Sequence, residues 1–403
     1  MRPVKRKSPF HARGGGAECM GGQRVREIIR SFAGRMTIAA GCRCGVPRFA
    51  SICRAGVTND GTAGKMASSS SGEPMSRQPH ALPVLPLASI DSLSATGELV
   101  AFNVGADDVL YTAFALESLD DRTRSDGASF AITTPSAARR YRLIAWRDGE
   151  TLLDLVVDNE PFDIHEIQPV GDDLLLVCCR SCYRGPDDFD LNGRLYRHDG
   201  TRCGEILLGD GIRSVQVTGT GEIWTSYFDE GVFGNFGWGA PVGASGLVAW
   251  SRRGELLHAF SPPEGLGPID DCYALNVQGD HDVWLYYYSE FALVHLRDRQ
   301  PVASWRIPVK GSHAFAVMED QAQHGECVAL LCGAYGDRDV LQLVRLGADG
   351  QVRVVRAYRM LNGGSAPVGV ARAVGRGCAL YVVGTDGNVY RIDMAGLCAA
   401  GTA

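Results

Sequence analysis

Lysine is almost missing from most of this 403-residue chain: after Lys65 only Lys310 occurs, and arginine carries the remaining positive charge. That bias points to a GC-rich coding sequence. No stretch approaches the ~20 apolar residues of a membrane span, which argues against a membrane-spanning helix. Long stripes of 3.6-residue period are absent too, which excludes a helical bundle. There is no G-x-S-x-G elbow for a nucleophilic serine, no C-x-x-C pair among the early cysteines, and no WD or kelch signature. A secretory signal with its apolar core and small-residue cleavage site is not seen.

Charge is divided unevenly. Residues 1–65 carry 13 Lys/Arg against 3 Asp/Glu, and the rest of the chain carries 27 against 43. The acidity of the body argues against a nucleic-acid partner, whose phosphates need a basic surface. The basic head, 1–65, is rich in Gly and Cys without a core-forming pattern and is expected to be disordered or artefactual. Met66 and Met75 are candidate true starts. Residues 66–81 read as a Ser/Pro-rich linker, 82–398 as the folded domain and 399–403 as a tail. Nine cysteines fall in the body, an odd number at irregular spacing. A reducing compartment, and hence a cytoplasmic protein, is the expectation.

From about residue 97 the chain consists of short β-rich runs punctuated by turn residues. Tight turns end at Gly149, Gly200, Gly254, Gln300 and Gly350, at intervals of 51, 54, 46 and 50 residues. Upstream of them stands a second series of strand starts, including Asp108-Val109-Leu110-Tyr111, Glu222-Ile223-Trp224 and Asp282-Val283-Trp284. Each unit reads as four antiparallel strands, A to D, repeated about six times. By this period and strand content the chain resembles the six-bladed β-propeller superfamily. The resemblance implies an all-β fold of four-stranded blades and carries no activity with it. The last unit is one strand short. The apolar, Pro-containing 82–90 segment is the candidate that closes the ring, since proline is tolerated at a sheet edge.

Aligning the units sets His165-Glu166-Ile167-Gln168 against Arg213-Ser214-Val215-Gln216, Tyr273-Ala274-Leu275-Asn276 and His313-Ala314-Phe315-Ala316. Strand A lines the channel of such a ring, and its start lies on the face of the B–C loops. One position thus presents His165, Arg213, Tyr273 and His313 from four adjacent blades, with Asp163, Asp270 and Asp271 just before it. Val100 and Val368 take that position in blades 1 and 6. Imidazole serves as general base, acid or metal ligand, and guanidinium holds a carboxylate or phosphate. The candidate catalytic set is therefore His165, Arg213, His313, Asp163 and Asp271. Tyr273, Asp270 and the loop aromatics Phe233, Phe236 and Trp238 are candidate ligand contacts. Those three aromatics either form a lid or fold down over the barrel end.

Three readings of function follow. One is a propeller that binds a small molecule or a partner protein on the face of the B–C loops. Another is an enzyme of hydrolase, lactonase or lyase type with its site at the channel mouth. A scaffold whose mouth is only solvated surface is a third. No cofactor is specified, although Asp163, His165, Asp271 and His313 together have the mixed N/O chemistry of a divalent-metal site in the channel.

Overall fold

The computed structural model describes residues 78–94, 96–122, 131–319 and 326–400. The head and most of the linker lie outside them. The described chain is an all-β, six-bladed propeller. Blade 1 comprises β3 (Glu98–Val104), β4 (Leu110–Ala115), β5 (Arg139–Arg147) and β6 (Glu150–Glu160). Blade 2 comprises β7 (Glu166–Val170), β8 (Asp173–Val177), β11 (Gly193–Arg197) and β12 (Arg202–Ile206), with the small hairpin β9 (Tyr183–Gly185) and β10 (Asp188–Phe189) inserted. Blade 3 holds β13 (Ile212–Val217), β14 (Ile223–Tyr227), β15 (Leu247–Trp250) and β16 (Leu256–Ala259). Blade 4 holds β17 (Asp271–Gln278), β18 (Asp282–Tyr288), β19 (Ala292–Arg297) and β20 (Gln300–Arg306). Blade 5 holds β21 (Ala314–Glu319), β22 (Cys327–Ala334), β23 (Asp337–Leu346) and β24 (Val352–Asn362), whose end pairs with the two-residue β25 (Ala366–Pro367). Blade 6 has β26 (Val370–Arg376), β27 (Ala379–Gly384) and β28 (Asn388–Asp393), after which the chain turns into helix α3 (Met394–Ala400).

Turn chemistry sets the meander. Asp148 and Gly149 both take positive φ (51° and 90°) in the two-residue turn joining β5 to β6. That is the turn whose twist matches antiparallel strands. Asp298 and Arg299 do the same between β19 and β20 without a glycine (φ 48° and 65°). Their strain is offset by side-chain bonds, from His281 to Asp298 (2.8 Å) and from Arg299 Nε to Glu222 (3.0 Å).

The core is distributed as six apolar layers, one between each pair of neighbouring blades. Leu175, Val215 and Trp250 belong to the layer of blades 2 and 3, for example, and Phe102, Tyr381 and Val389 to that of blades 6 and 1. The segment read as the closing strand divides between two blades. β1 (His80–Val84) runs parallel to β24 on the outer edge of blade 5. β2 (Pro86–Ser89) then pairs antiparallel with β28 as the fourth strand of blade 6 and leads into the one-turn helix α1 (Ile90–Leu93). Between them Leu85 is 77% exposed where the chain crosses from one blade to the next. Both edges that would otherwise offer unpaired backbone are thereby covered.

Candidate functional site

The six A strands, β3, β7, β13, β17, β21 and β26, surround the axis, and polar side chains fill its centre. Gln168 donates to the carbonyl of Val104 and accepts from the Val217 N–H (3.1 and 3.0 Å). Gln216 accepts from the Val277 N–H (2.7 Å) and donates to Gly375 across the ring (2.9 Å). Asn276 donates to Phe315 (2.8 Å) and accepts from the Gly377 N–H (2.7 Å). Asn103 donates to Val215, and Arg376 donates to Val217. All five side chains are buried. Gly375 is required for this closure, because a Cβ there would lie 1.7 Å from the Phe315 carbonyl oxygen. The axis is therefore closed by a belt of amides, and the B–C face opens into a blind mouth.

At that mouth the strands carry β-bulges. The ladder register shifts across Val100 in blade 1, Arg213 in blade 3, Tyr273 in blade 4 and Ala371 in blade 6. A bulge re-aims the extra side chain, so Arg213 and Tyr273 project from the mouth ends of β13 and β17. The structural counterpart of these positions in blade 6 is Ala371 rather than Val368, because counting along the sequence misses the bulge.

Arg213 is exposed at the opening and has no hydrogen-bond or ion-pair partner among the described residues. Its charge acts on Glu166, Asp271 and His313, from blades 2, 4 and 5. Burial pushes the Glu166 carboxyl up to about 8, although a hydrogen bond from Asn103 (2.9 Å) and the charges of Arg372 and Arg213 oppose the shift. Burial likewise raises Asp271 to about 6, against the pull of Arg213 and with a push from Asp229. Its Oδ1 is buried and accepts no hydrogen bond. Burial, reinforced by Arg338 and Arg213, lowers His313 to about 4, so at neutral pH it is an uncharged imidazole. Its ring rests on Gly333, where a Cβ would come within 2.2 Å.

Other candidates are committed within the protein. Asp163 is fully buried and bound by Arg122 (Nε 2.8 Å, Nη2 2.6 Å) and by Arg139 (2.5 Å). Burial would raise its carboxyl, but His165 and Arg122 hold it below the usual carboxylate range. His165 Nδ1 accepts from the Cys179 N–H (3.2 Å), and Nε2 stands 3.2 Å from Asp163 without hydrogen-bond alignment. Nδ1 is thereby occupied, and Nε2 faces the Asp163 carboxylate that Arg122 and Arg139 already hold. Burial lowers the pKa of the ring, against the contact and charge of Asp163. Trp238 folds down: it is buried, and its indole N–H donates to Ser181 (2.8 Å). Phe236 covers Arg180, whose guanidinium lies 4.3 Å from its ring centre and binds Asp210 and Glu230. Phe233, at the end of helix α2 (Asp229–Phe233), is 67% exposed. Asp270 sits at the outer rim, its N–H donating to Tyr288 (3.2 Å) and its carboxyl raised by burial.

Tyr273 belongs to a cluster. Its hydroxyl bonds that of Tyr335, its ring is stacked with Tyr288 (6.1 Å between centroids, 13° between planes), and Phe291 lies edge-on beneath (6.3 Å, 63°). Tyr335 and Tyr288 are 61% and 42% exposed, whereas Phe291 is buried.

The comparisons with known proteins come to the fold alone. A model of the YxzG family matches residues 244–390, about a third of the chain. No curated protein matches. Among solved structures, a chain of the mitotic checkpoint complex is 9% identical, with a TM-score of 0.40, covering 82% of this chain and 99% of that one. A streptogramin B lyase is 11% identical at a TM-score of 0.38, covering 74% and 91%. The virginiamycin B lyase of Staphylococcus aureus is 8% identical at 0.35, covering 77% and 88%.

Sequence reasoning passed over Glu166, Arg372, Tyr335 and Arg338. Glu166 stands beside His165 in the aligned units, so its column was legible. Arg372 follows the β26 bulge, and Tyr335 and Arg338 come from the B–C turn and C strand of blade 5, where no column marks them. Among the described residues no three His, Cys, Asp or Glu side chains gather as a metal site. No described helix is long and apolar enough to cross a membrane. Two open clefts of about 470 and 490 Å³ lie elsewhere, the first by Asp173, Arg197 and Arg252, the second by Trp305, Arg306 and Gln351. The residues named for either cleft are not those of the mouth. A mouth with an unpaired cation, two carboxylates of raised pKa and a neutral imidazole can hold an anion and exchange a proton with it.

Proposed function

We propose that this propeller binds a small, singly charged anion at its blind mouth. The observation that carries the reading is Arg213, displayed by a bulge and left without a counter-ion among the described residues. Arg372 adds a second positive charge in the channel, although its N–H groups already bond the carbonyls of Val100 and Leu99 (2.8 and 3.0 Å). The acidic balance of the surrounding body disfavours a polyanion. A partner protein presenting a carboxylate on the same face is compatible with this chemistry. The odd number and irregular spacing of the nine body cysteines favour a reducing, cytoplasmic setting.

Saturation-transfer NMR with small carboxylic acids, with and without amino groups, tests the reading. Binding should weaken at least tenfold in Arg213→Ala. An exposed arginine lacking partners contributes little to stability, so this variant should unfold within about 0.5 kcal/mol of the parent. Asp163→Ala, which takes a shared carboxylate from the buried Arg139 and the partly buried Arg122, should cost about 3 kcal/mol. Binding indifferent to Arg213→Ala would overturn the reading.

A second reading, an enzyme of hydrolase, lactonase or lyase type, is favoured by Glu166. A carboxyl that keeps its proton at neutral pH beside Arg213 and Arg372 is suited to general-acid work.

A further inference from the structure

Opposite charges face one another at the mouth without meeting. Arg213 and Asp271 act on each other electrostatically, yet they form no ion pair, and the buried Asp271 Oδ1 has no donor. A bare carboxylate bound at Arg213 would leave that acceptor unsatisfied and bring a second negative charge close to it. A ligand carrying an ammonium beside its carboxylate satisfies both groups. Continuous with this pair is the tyrosine cluster: Asp271 acts on Tyr273, which is tied through its hydroxyl to Tyr335 and stacked with Tyr288. The shelf is pre-organised, with Phe291 buried as its floor and Tyr335 and Tyr288 reaching solvent. Rigid aromatic faces open to solvent accept another planar ring at little entropic cost.

We propose that the mouth selects an aromatic α-amino acid. Its carboxylate lies on Arg213, its ammonium on Asp271 and its ring on the shelf of Tyr273, Tyr288 and Tyr335. This rests on the anion-binding reading above and narrows it to one ligand class.

Four probes dissect the assignment by calorimetry on the full chain at pH 7.5. L-phenylalanine carries all three features. 3-Phenylpropionate lacks the amine, phenethylamine lacks the carboxylate, and L-alanine lacks the ring. Phenylalanine should bind at least tenfold more tightly than each of the others. Asp271→Asn should reduce it to the level of 3-phenylpropionate, and Tyr273→Ala to that of alanine. The advantage over 3-phenylpropionate should also fade as pH drops below about 6, where Asp271 takes up its proton. The groups facing that carboxyl are Arg213 from β13, Asp229 from α2, Tyr288 from β18, and Asp270, Cys272 and Tyr273 on its own chain segment.

If 3-phenylpropionate binds as tightly as phenylalanine, the zwitterion assignment fails and the anion reading stands. If alanine does so, the aromatic assignment fails alone. If phenethylamine matches phenylalanine, or no carboxylate-bearing probe binds, both fall.

Discussion

At the scale of single residues, Glu166 shows how burial and charge compete at this mouth. One hydrogen bond from Asn103 and two guanidinium charges do not outweigh its burial. In the unfolded chain the same carboxyl titrates near its ordinary value of 4.5, whereas in the folded protein it titrates near 8. Between those values the folded protein holds a proton that the unfolded chain has released. Stability contributed by this group therefore falls as pH rises through the window. Glu166→Gln removes the titration. Its Tm relative to the parent should climb steadily from pH 5 to pH 8 and level off above. A difference that stays flat across the range would show that the carboxyl is ionised and paired in the folded state.

At the scale of elements, the N-terminal strap ties the ring together. β1 and β2 cover the outer edges of blades 5 and 6, and Val84 and Leu93 are buried against the body. Deleting residues 76–92 removes two strands and exposes the edges of β24 and β28. The loss should amount to several kcal/mol, or about 5–10 °C in Tm. Unchanged melting in a scan of the truncated chain would show that the ring closes without the strap. Elements of this kind were largely legible in the sequence, since a tight turn such as Asp148-Gly149 announces itself by local chemistry. The division of the strap was not: Leu82 to Leu87 gives one apolar signal, and only the geometry of adjacent blades decides where it splits. The site was half legible for a related reason. Counting from each strand entry found Arg213, Tyr273 and His313. It offered His165 and Asp163 as equals, because sequence spacing cannot show that Arg122, 41 residues earlier, occupies the Asp163 carboxylate.

For the whole molecule, the amide belt decides that the mouth is a pocket and not one end of a pore. Its column was already visible in the aligned units as Gln168, Gln216 and Asn276, yet amides at a channel wall read equally well as a wet lining. Only the ring's diameter, small enough for Gln216 to reach Gly375 on the opposite side, turns them into a seal. Gln216 is its hub, since it engages blades 4 and 6 at once. Gln216→Ala leaves the Val277 N–H and the Gly375 carbonyl without their partner in a buried setting. Each such group costs about 1–3 kcal/mol unless water enters to replace the amide. Water entry is the cheaper outcome, because the mouth above is already open to solvent. The variant should therefore remain folded, lose about 1–3 kcal/mol, and exchange the Val277 amide hydrogen much faster than the parent. Amides in the outer strand β20 should keep their protection. Hydrogen exchange followed by NMR checks this, and equal protection of Val277 in both proteins would mean that the axis is sealed by the backbone of the six A strands and not by their amide side chains.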